Sequence, residues 1–426
     1  MTQEETQSTS SLLRGNRRFQ QFWIAETLVA YGSQITFVVL PLVAVLILNA
    51  TPMQLGLLTA LERASFPILG LLAGAWLDRM NLRATLALTD LARAVLVLIV
   101  PVAYWTGWLS FPLLLVISLL LGLMYVLFEI AYISVIPHLV DSIDDLPKAN
   151  ASLQASSATA GILGPGAAGM LLAVLSAPVV LLFTTASFLV STFLLLVGVQ
   201  RDAEAEDRKR SRDPILASIR IGWHRVWRNR TLRGIAQMAG IHLFCYAAFQ
   251  TLIILYLVNV LDLGGFYAAL FFGAMGAGFL LGSIICGRLN RALGIGRAML
   301  LGTIGADLAA IAITVVPQPT VFRGPLVVAL AVLMGIGWQV CTLNSVSLRQ
   351  ALTPLSLQAR VNSVIRVISW SAAPLGGLVG GFAAGQWGVR TTLMLTAIAM
   401  LGAVIPILMS PLVSISVLPR QPELAE

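Results

Sequence analysis

The sequence predicts an all-α membrane protein of twelve transmembrane helices, arranged as two pseudo-symmetric six-helix bundles. Three observations predict it. Hydrophobic residues make up 58% of the chain and charged residues 11%, against about 25% charged in an average soluble domain, which excludes a soluble fold. The apolar runs are continuous rather than alternating, as a helix requires and a membrane barrel does not allow. The chain also repeats on itself. At an offset of 213, half of its 426 residues, Asn16-Arg17 falls on Asn229-Arg230, Pro112 on Pro325 and Gly122 on Gly335. Asp90-Leu-Ala meets Asp307-Leu-Ala at 217, Asn150 meets Asn362 at 212 and Pro165 meets Pro374 at 209, a drift of loop-length size. Paired membrane repeats carry a pathway at their interface.

At about 20 apolar residues per crossing, this composition supplies about twelve spans. In the first half they are expected at 21–48, 53–76, 84–106, 112–136, 150–173 and 178–199. In the second they are expected at 235–261, 266–287, 298–317, 325–347, 360–384 and 390–412. Residues 1–20 then form an N-terminal tail, 200–234 a linker and 413–426 a C-terminal tail. The first span follows Arg14, Arg17 and Arg18, is too long for a signal-peptide core and lacks a small-residue cleavage site, so it is expected to be retained.

With alternate loops on alternate sides, 22 of the 27 Lys and Arg residues share the side of both termini and the central loop. Arg323 and Arg390 take the other side, and Arg63, Arg93 and Arg366 lie within spans. The positive-inside rule then places both termini in the cytoplasm, in a plasma or inner membrane. The net charge of +8 follows this topology and gives no reason to expect nucleic acid. The loop at 137–149 is acidic, with Asp141, Asp144 and Asp145 against Lys148. The linker opens with a solvated mixed-charge run, Arg201 to Arg212. Asp213-Pro214 is a helix start signal, and Ile215, Leu216, Ile219, Trp223, Val226 and Trp227 recur at helical spacing. An amphipathic helix at the cytoplasmic interface is expected there.

Cys245, Cys286 and Cys341 all sit in apolar runs and imply neither disulfides nor a metal cluster. His138, His224 and His242 lack ligand spacing; His242 reads as solvated or hydrogen-bonded. The sequence gives no reason to expect a metal or another cofactor. No motif pairs a nucleophile with a base, and no glycine-rich loop follows a strand, so the chain does not read as an enzyme.

After the second expected span comes Gly74-Ala-Trp-Leu-Asp78-Arg79-Met-Asn81-Leu82-Arg83. This resembles the signature loop of the major facilitator superfamily at Gly74, Asp78, Arg79 and Arg83, and departs from it at Asn81 and Leu82. The resemblance implies that these residues gate the outward-facing state, a carboxylate and a guanidinium at a helix end closing on facing helix ends. The second-half counterpart, Gly287-Arg288-Leu-Asn290-Arg291, is degenerate. The fifth span carries Gly161-Ile-Leu-Gly164-Pro165-Gly166-Ala-Ala-Gly169, similar to the superfamily's antiporter motif; Pro374-Leu-Gly376-Gly377 echoes it in the eleventh. Small residues allow close helix approach and proline bends a helix. Thr89-Asp90-Leu-Ala-Arg93, Lys148-Ala-Asn150, Ile219-Arg220-Ile-Gly222-Trp223 and Arg360-Val-Asn362 resemble the drug:proton antiporter branch that includes macrolide efflux proteins and siderophore exporters.

Charges within spans are costly, and therefore functional or paired. Glu26, Asp90, Glu129 and Arg366 lie near the cytoplasmic ends, and Glu62, Arg63 and Asp307 nearer the midplane. Asp90 and Arg93, at i and i+3, pair on one helix face. Asp307, the repeat mate of Asp90, has no basic neighbour at helical spacing; the resemblance places its helix at the periphery, and it reads as packed or paired. The resemblance places Glu26 and Glu129 on the central cavity. Two readings stand for them: a shared proton, or a salt bridge to Arg93 or Arg366. Glu62 and Arg63, adjacent on a helix, are expected to have separate partners, with Arg63 a candidate for an anionic cargo or for Glu26. At the offset of 213, Glu26, Glu62, Arg63 and Glu129 meet Ala239, Met275, Gly276 and Thr342, so cavity charge belongs to the first half. The expected function is proton-coupled export of a mid-sized organic molecule by a monomer in a lipid bilayer. Its competitors are an uncoupled facilitator or importer of the same fold, and a membrane receptor that transports nothing.

Overall fold

The computed structural model describes residues 16–69, 81–140, 145–198, 215–316 and 322–418, and among them all regular structure is helical. The first half comprises α1 (Arg17–Leu46), α2 (Pro52–Leu69), α3 (Leu82–Trp105), α4 (Phe111–Val135), α5 (Leu146–Leu172) and α6 (Ala177–Gly198). The second begins with α7 (Ile215–Arg228) and α8 (Arg230–Leu255), which runs into a π turn at Tyr256–Val260. It continues with α9 (Gly264–Leu293), α10 (Ile295–Thr314), α11 (Arg323–Ala351) and α12 (Leu355–Trp387), and ends in α13 (Val389–Met400) and α14 (Val404–Leu408). Among the described residues, ten helical segments are long and apolar enough to cross a membrane, α13 and α14 together making the last. α2 and α5 occupy the places of the other two expected spans.

The repeat anchors are helix punctuation. Asn16 caps α1, its side chain accepting from the Phe19 amide at 2.9 Å. Asn229 caps α8, accepting from Thr231 and Leu232 at 2.9 and 3.1 Å. Such caps satisfy amides that have no partner inside the helix. This is why α8 starts at Arg230, ahead of the expected 235. Pro112 sits in the first turn of α4 and Pro325 in that of α11, where a missing amide hydrogen costs nothing. Asn81, where the signature loop departs from the family pattern, caps α3 by accepting from the Ala84 amide.

The chain divides into two compact units, Met1–Ala50 with Leu61–Arg208, and Thr51–Ala60 with Lys209–Glu426. Within the first, α1 packs on α5 and α6, and α3 on α4 and α6. Within the second, α8 packs on α12 and α13, and α10 on α11 and α13. The two pairing schemes correspond helix for helix. The correspondence reaches single residues: an ideal Cβ on Gly122 would stand 2.3 Å from the Glu62 carbonyl oxygen, and one on Gly335 would stand 2.1 Å from that of Met275. Glu62 and Met275 are themselves repeat mates.

The compact units depart from the repeat at α2. The first turns of α2 pack within the second unit, where a Cβ on Gly56 would meet the Gly377 carbonyl at 2.6 Å and one on Gly381 that of Pro52 at 2.6 Å. The Thr59 and Thr251 hydroxyls meet at 2.9 Å in the same seam. α7 also belongs to the second unit and packs on α12. A Cβ on Gly222 would stand 2.5 Å from the Arg360 carbonyl, and Val226 is fully buried. Trp223 stays exposed with Trp227 tilted against it at 5.5 Å. The amphipathic helix expected at the interface therefore uses its small-residue face to dock on protein.

Gly122→Ala and Gly335→Ala are each expected to destabilise the protein by about 1–3 kcal/mol, because the new methyl group has to displace backbone. Gly161→Ala, with no heavy atom within 4 Å of its Cβ, is expected to be neutral or slightly stabilising. Thermal unfolding of the purified variants checks both; equal melting temperatures for Gly335→Ala and Gly161→Ala would contradict the packing argument.

Candidate functional site

The first unit buries a charged cluster among α1, α3, α4 and α6. Asp90 is 0% exposed, Arg93 3% and Glu26 8%. One turn apart on α3, Arg93 Nη2 meets Asp90 Oδ1 at 3.2 Å. From α6 the Ser191 hydroxyl donates to Asp90 Oδ2 at 2.6 Å. The Arg93 guanidinium lies 4.0 Å from the Phe128 ring centroid and 5.3 Å from that of Phe188, so cation–π contact replaces part of its lost hydration.

Glu26 enters this environment from α1. It lies in the electrostatic field of both Asp90 and Arg93, and Arg93 in turn interacts with both carboxyls. Tyr132 of α4 interacts with Glu26 and stacks between Phe22 at 6.0 Å and Phe128 at 6.2 Å. Glu26 Oε1 and Arg93 Nε have no hydrogen-bond partner among the described residues. Asp90 is thus paired with the buried Arg93 guanidinium, and Glu26 is a second buried carboxyl within the field of that pair. Fully ionised, the triad carries one surplus negative charge, and burying such a charge without compensation costs several kcal/mol. A proton on one carboxyl, or a cationic group beside it, removes the surplus.

Of the partners expected for Glu26, Arg93 lies within its electrostatic field. The carboxyl beside Glu26 belongs to Asp90; Glu129, next in sequence to Phe128, is half-buried. Glu62 and Arg63 are half-buried on α2, and Glu62 lies in the field of Arg63.

Gly74, Asp78 and Arg79 lie outside the described residues. Arg83 lies within them and is held in the first unit: its Nε donates to the Leu195 carbonyl at 2.8 Å and its Nη2 to that of Leu196. These carbonyls end α6, where a cation complements the helix dipole. Pro165 and Pro374 lie inside the unbroken helices α5 and α12. A Cβ on Gly164 would stand 2.7 Å from that of Gln34, and Gly169 is buried. Gly161 is open. On α12, the Arg366 guanidinium lies 5.8 Å from the Trp370 ring centroid. Asp307 is fully buried on α10 and, among the described residues, forms no ion pair. His242 is half-buried and packs edge-on against Trp338 at 4.7 Å.

Sequence reasoning missed Ser191, Phe128, Phe188 and Tyr132. Ser191 is a single hydroxyl in an apolar run, and no spacing ties it to Asp90. Phe128 and Tyr132 share one face at i and i+4, the one signal that marked them as a unit.

The family model for the Major Facilitator Superfamily matches residues 22–376, and the chain belongs to that superfamily. It is a multi-pass membrane transporter that handles small-molecule cargo, and not an enzyme. It is 23% identical over 327 residues to an uncharacterized MFS-type transporter, YvqJ, of Bacillus subtilis (strain 168), covering 75% of each chain. Similar solved structures include a bacterial homologue of the iron transporter ferroportin in an inward-facing state, with TM-score 0.72, 18% identity and coverage of 92% of this chain and 98% of that one. The nucleoside transporter NupG superposes with TM-score 0.69 at 13% identity, covering 92% and 98%. A bacterial homologue of the human lysosomal transporter Spinster, inward-facing and occupied, gives 0.66 at 15%, covering 92% and 95%. At these identities the structures share the fold with this chain.

Arg93→Leu is expected to destabilise the protein by about 3–5 kcal/mol, because it leaves Asp90 buried without its counter-charge. Adding Asp90→Asn recovers most of that loss, and Ser191→Ala alone costs about 1 kcal/mol. Thermal unfolding of the single and double variants measures the coupling; additive effects of the two substitutions would show that the pair is not coupled.

Proposed function

We propose that this transporter is a proton-coupled exporter of a mid-sized organic molecule, working by alternating access. The observation that carries the reading is a second buried carboxyl, Glu26, in the electrostatic field of the buried Asp90–Arg93 ion pair. Such a triad has one charge too many for a dry site. Proton uptake by the surplus carboxyl neutralises it, and proton release restores it. A change in solvation or in the position of α1 relative to α3 shifts that balance, which is the coupling an antiporter needs. Asp90 is held by Ser191 and Arg93 together, so Glu26 is the carboxyl that takes the proton.

The organic cargo is supported by the resemblance to exporters of macrolides and siderophores and by the aromatic wall of Phe22, Phe128, Tyr132 and Phe188. The similar structures include a homologue of an iron transporter, a nucleoside transporter and a homologue of a lysosomal transporter, so the shared fold does not select among cargoes. Placement in a bacterial plasma or inner membrane, with both termini cytoplasmic and the chain acting as a monomer, completes the proposal. It rests on the distribution of Lys and Arg.

In proteoliposomes, an imposed pH gradient is expected to drive accumulation of a macrolide or catecholate siderophore, and an uncoupler to abolish it. Glu26→Gln is expected to lose gradient-driven accumulation at least about tenfold, the scale of one lost interaction of about 1.4 kcal/mol, while downhill exchange persists. Transport indifferent to the pH gradient would establish an uncoupled facilitator instead.

A further inference from the structure

The second unit holds a buried carboxyl that the Glu26 reading leaves unused. Asp307, on α10, is 0% exposed, and neither of its oxygens has a hydrogen-bond partner among the described residues. Across from it on α11 stands Trp338, whose indole Nε1 is the donor that the carboxyl feels. That indole nitrogen is itself buried and without a hydrogen-bond partner. An unsatisfied acceptor and an unsatisfied donor therefore face each other short of hydrogen-bond geometry.

Among the described residues, the surroundings contain no compensating cation. α8 contributes Cys245 and α11 contributes Cys341, both within the field of Asp307 and both buried free thiols. Cys341 Sγ stands 3.7 Å from Met238 Sδ. His242 and Tyr246 lie one ring further away, their centroids 4.7 and 4.3 Å from that of Trp338. The guanidiniums on α10 and the helices packed against it sit at helix ends. Arg297 and Arg349 are about 15 Å along their helices from the level of Asp307 and Trp338. Arg390 bonds the Thr314 carbonyl, about 10 Å further along α10. Arg323 bonds the Asp262 carbonyl, and Arg288 and Arg291 lie in the last two turns of α9.

An ionised carboxylate in this setting has lost its water and gained no counter-charge, which is the costliest state for a buried group. A neutral carboxyl has no charge to compensate. Its hydroxyl can donate to a neighbouring sulfur or carbonyl, and its carbonyl oxygen can accept from Trp338 Nε1 after a small rotation. We propose that Asp307 is a second proton-binding site of this transporter, a carboxyl held in its neutral form in the second unit and covered by Trp338. The site is distinct from the Glu26 cluster and does not depend on it. The two halves of the repeat then both keep an acid at the Asp90 and Asp307 positions, but use it differently. In the first half Arg93 and Ser191 stabilise the charge, and in the second a proton removes it.

Infrared difference spectroscopy of the purified full-length protein between about pH 5 and about pH 9 tests this, because a neutral carboxyl has a C=O stretching band that a carboxylate lacks. The expected result is a carboxylic band at neutral pH that Asp307→Asn removes and Glu26→Gln does not. Asp307→Asn mimics the neutral carboxyl in shape and is expected to fold with a melting temperature within about 2 °C of wild type. If it fails to fold, Trp338→Phe serves instead, since loss of the indole donor is expected to move the same band. Carboxylate bands alone across the pH range, or a carboxylic band untouched by both Asp307→Asn and Trp338→Phe, would overturn the proposal. So would a band that sodium chloride abolishes at constant pH, which would make this a sodium site. None of these readouts requires transport, so failure of the exporter reading leaves this inference standing, and the reverse holds.

Discussion

Backbone-to-backbone contact between helices organises this structure. In a bilayer each helix satisfies its own backbone hydrogen bonds, and apolar side chains gain nothing by leaving lipid for protein. Association then relies on close van der Waals packing over small residues. Gly122 on the Glu62 carbonyl and Gly335 on that of Met275 are two copies of one such contact. Because both copies survived the duplication, the two units keep the same helix-pairing scheme although few of their charged residues correspond.

That frame sets the electrostatics. Once α3 is held between α4 and α6, Asp90 and Arg93 lie in the dry interior of the first unit, where they persist as a pair with Ser191 and Phe128 around them. The same frame in the second unit sets Asp307 opposite the Trp338 indole, with the Cys245 and Cys341 thiols within its field. A carboxyl at corresponding positions thus meets a guanidinium in one half and soft, uncharged groups in the other. The asymmetry is chemical and the scaffold is shared.

Motifs recognised by spacing turn out to have more than one structural job. Arg83, the last basic residue of the signature loop, bonds the carbonyls that end α6 and so fixes the start of α3 to its own unit. Asn81, where the loop departs from the family pattern, is a helix cap. The glycine-rich stretch around Pro165 divides between a contact position, Gly164, and an open one, Gly161. These roles depend on which atoms lie opposite, and no linear motif carries that information.

Features that repeat at helical or chain-halving intervals were legible in the chain alone. They include the order of the helices, the repeat anchors Asn16 and Asn229, the prolines at helix starts, and the Asp90–Arg93 pair, whose members are neighbours on one helix whatever lies around it. The rotation of each helix against the next was settled only by packing. That rotation brought Glu26 into the field of Asp90 and Arg93, joined the first turns of α2 to the second unit through Gly56, Gly377 and Gly381, and set Trp338 before Asp307. The reason is physical: intrahelical neighbours follow from a fixed 3.6-residue geometry. Interhelical neighbours follow from how glycines, rings and methyl groups of different helices interlock, which appears only once the helices have packed.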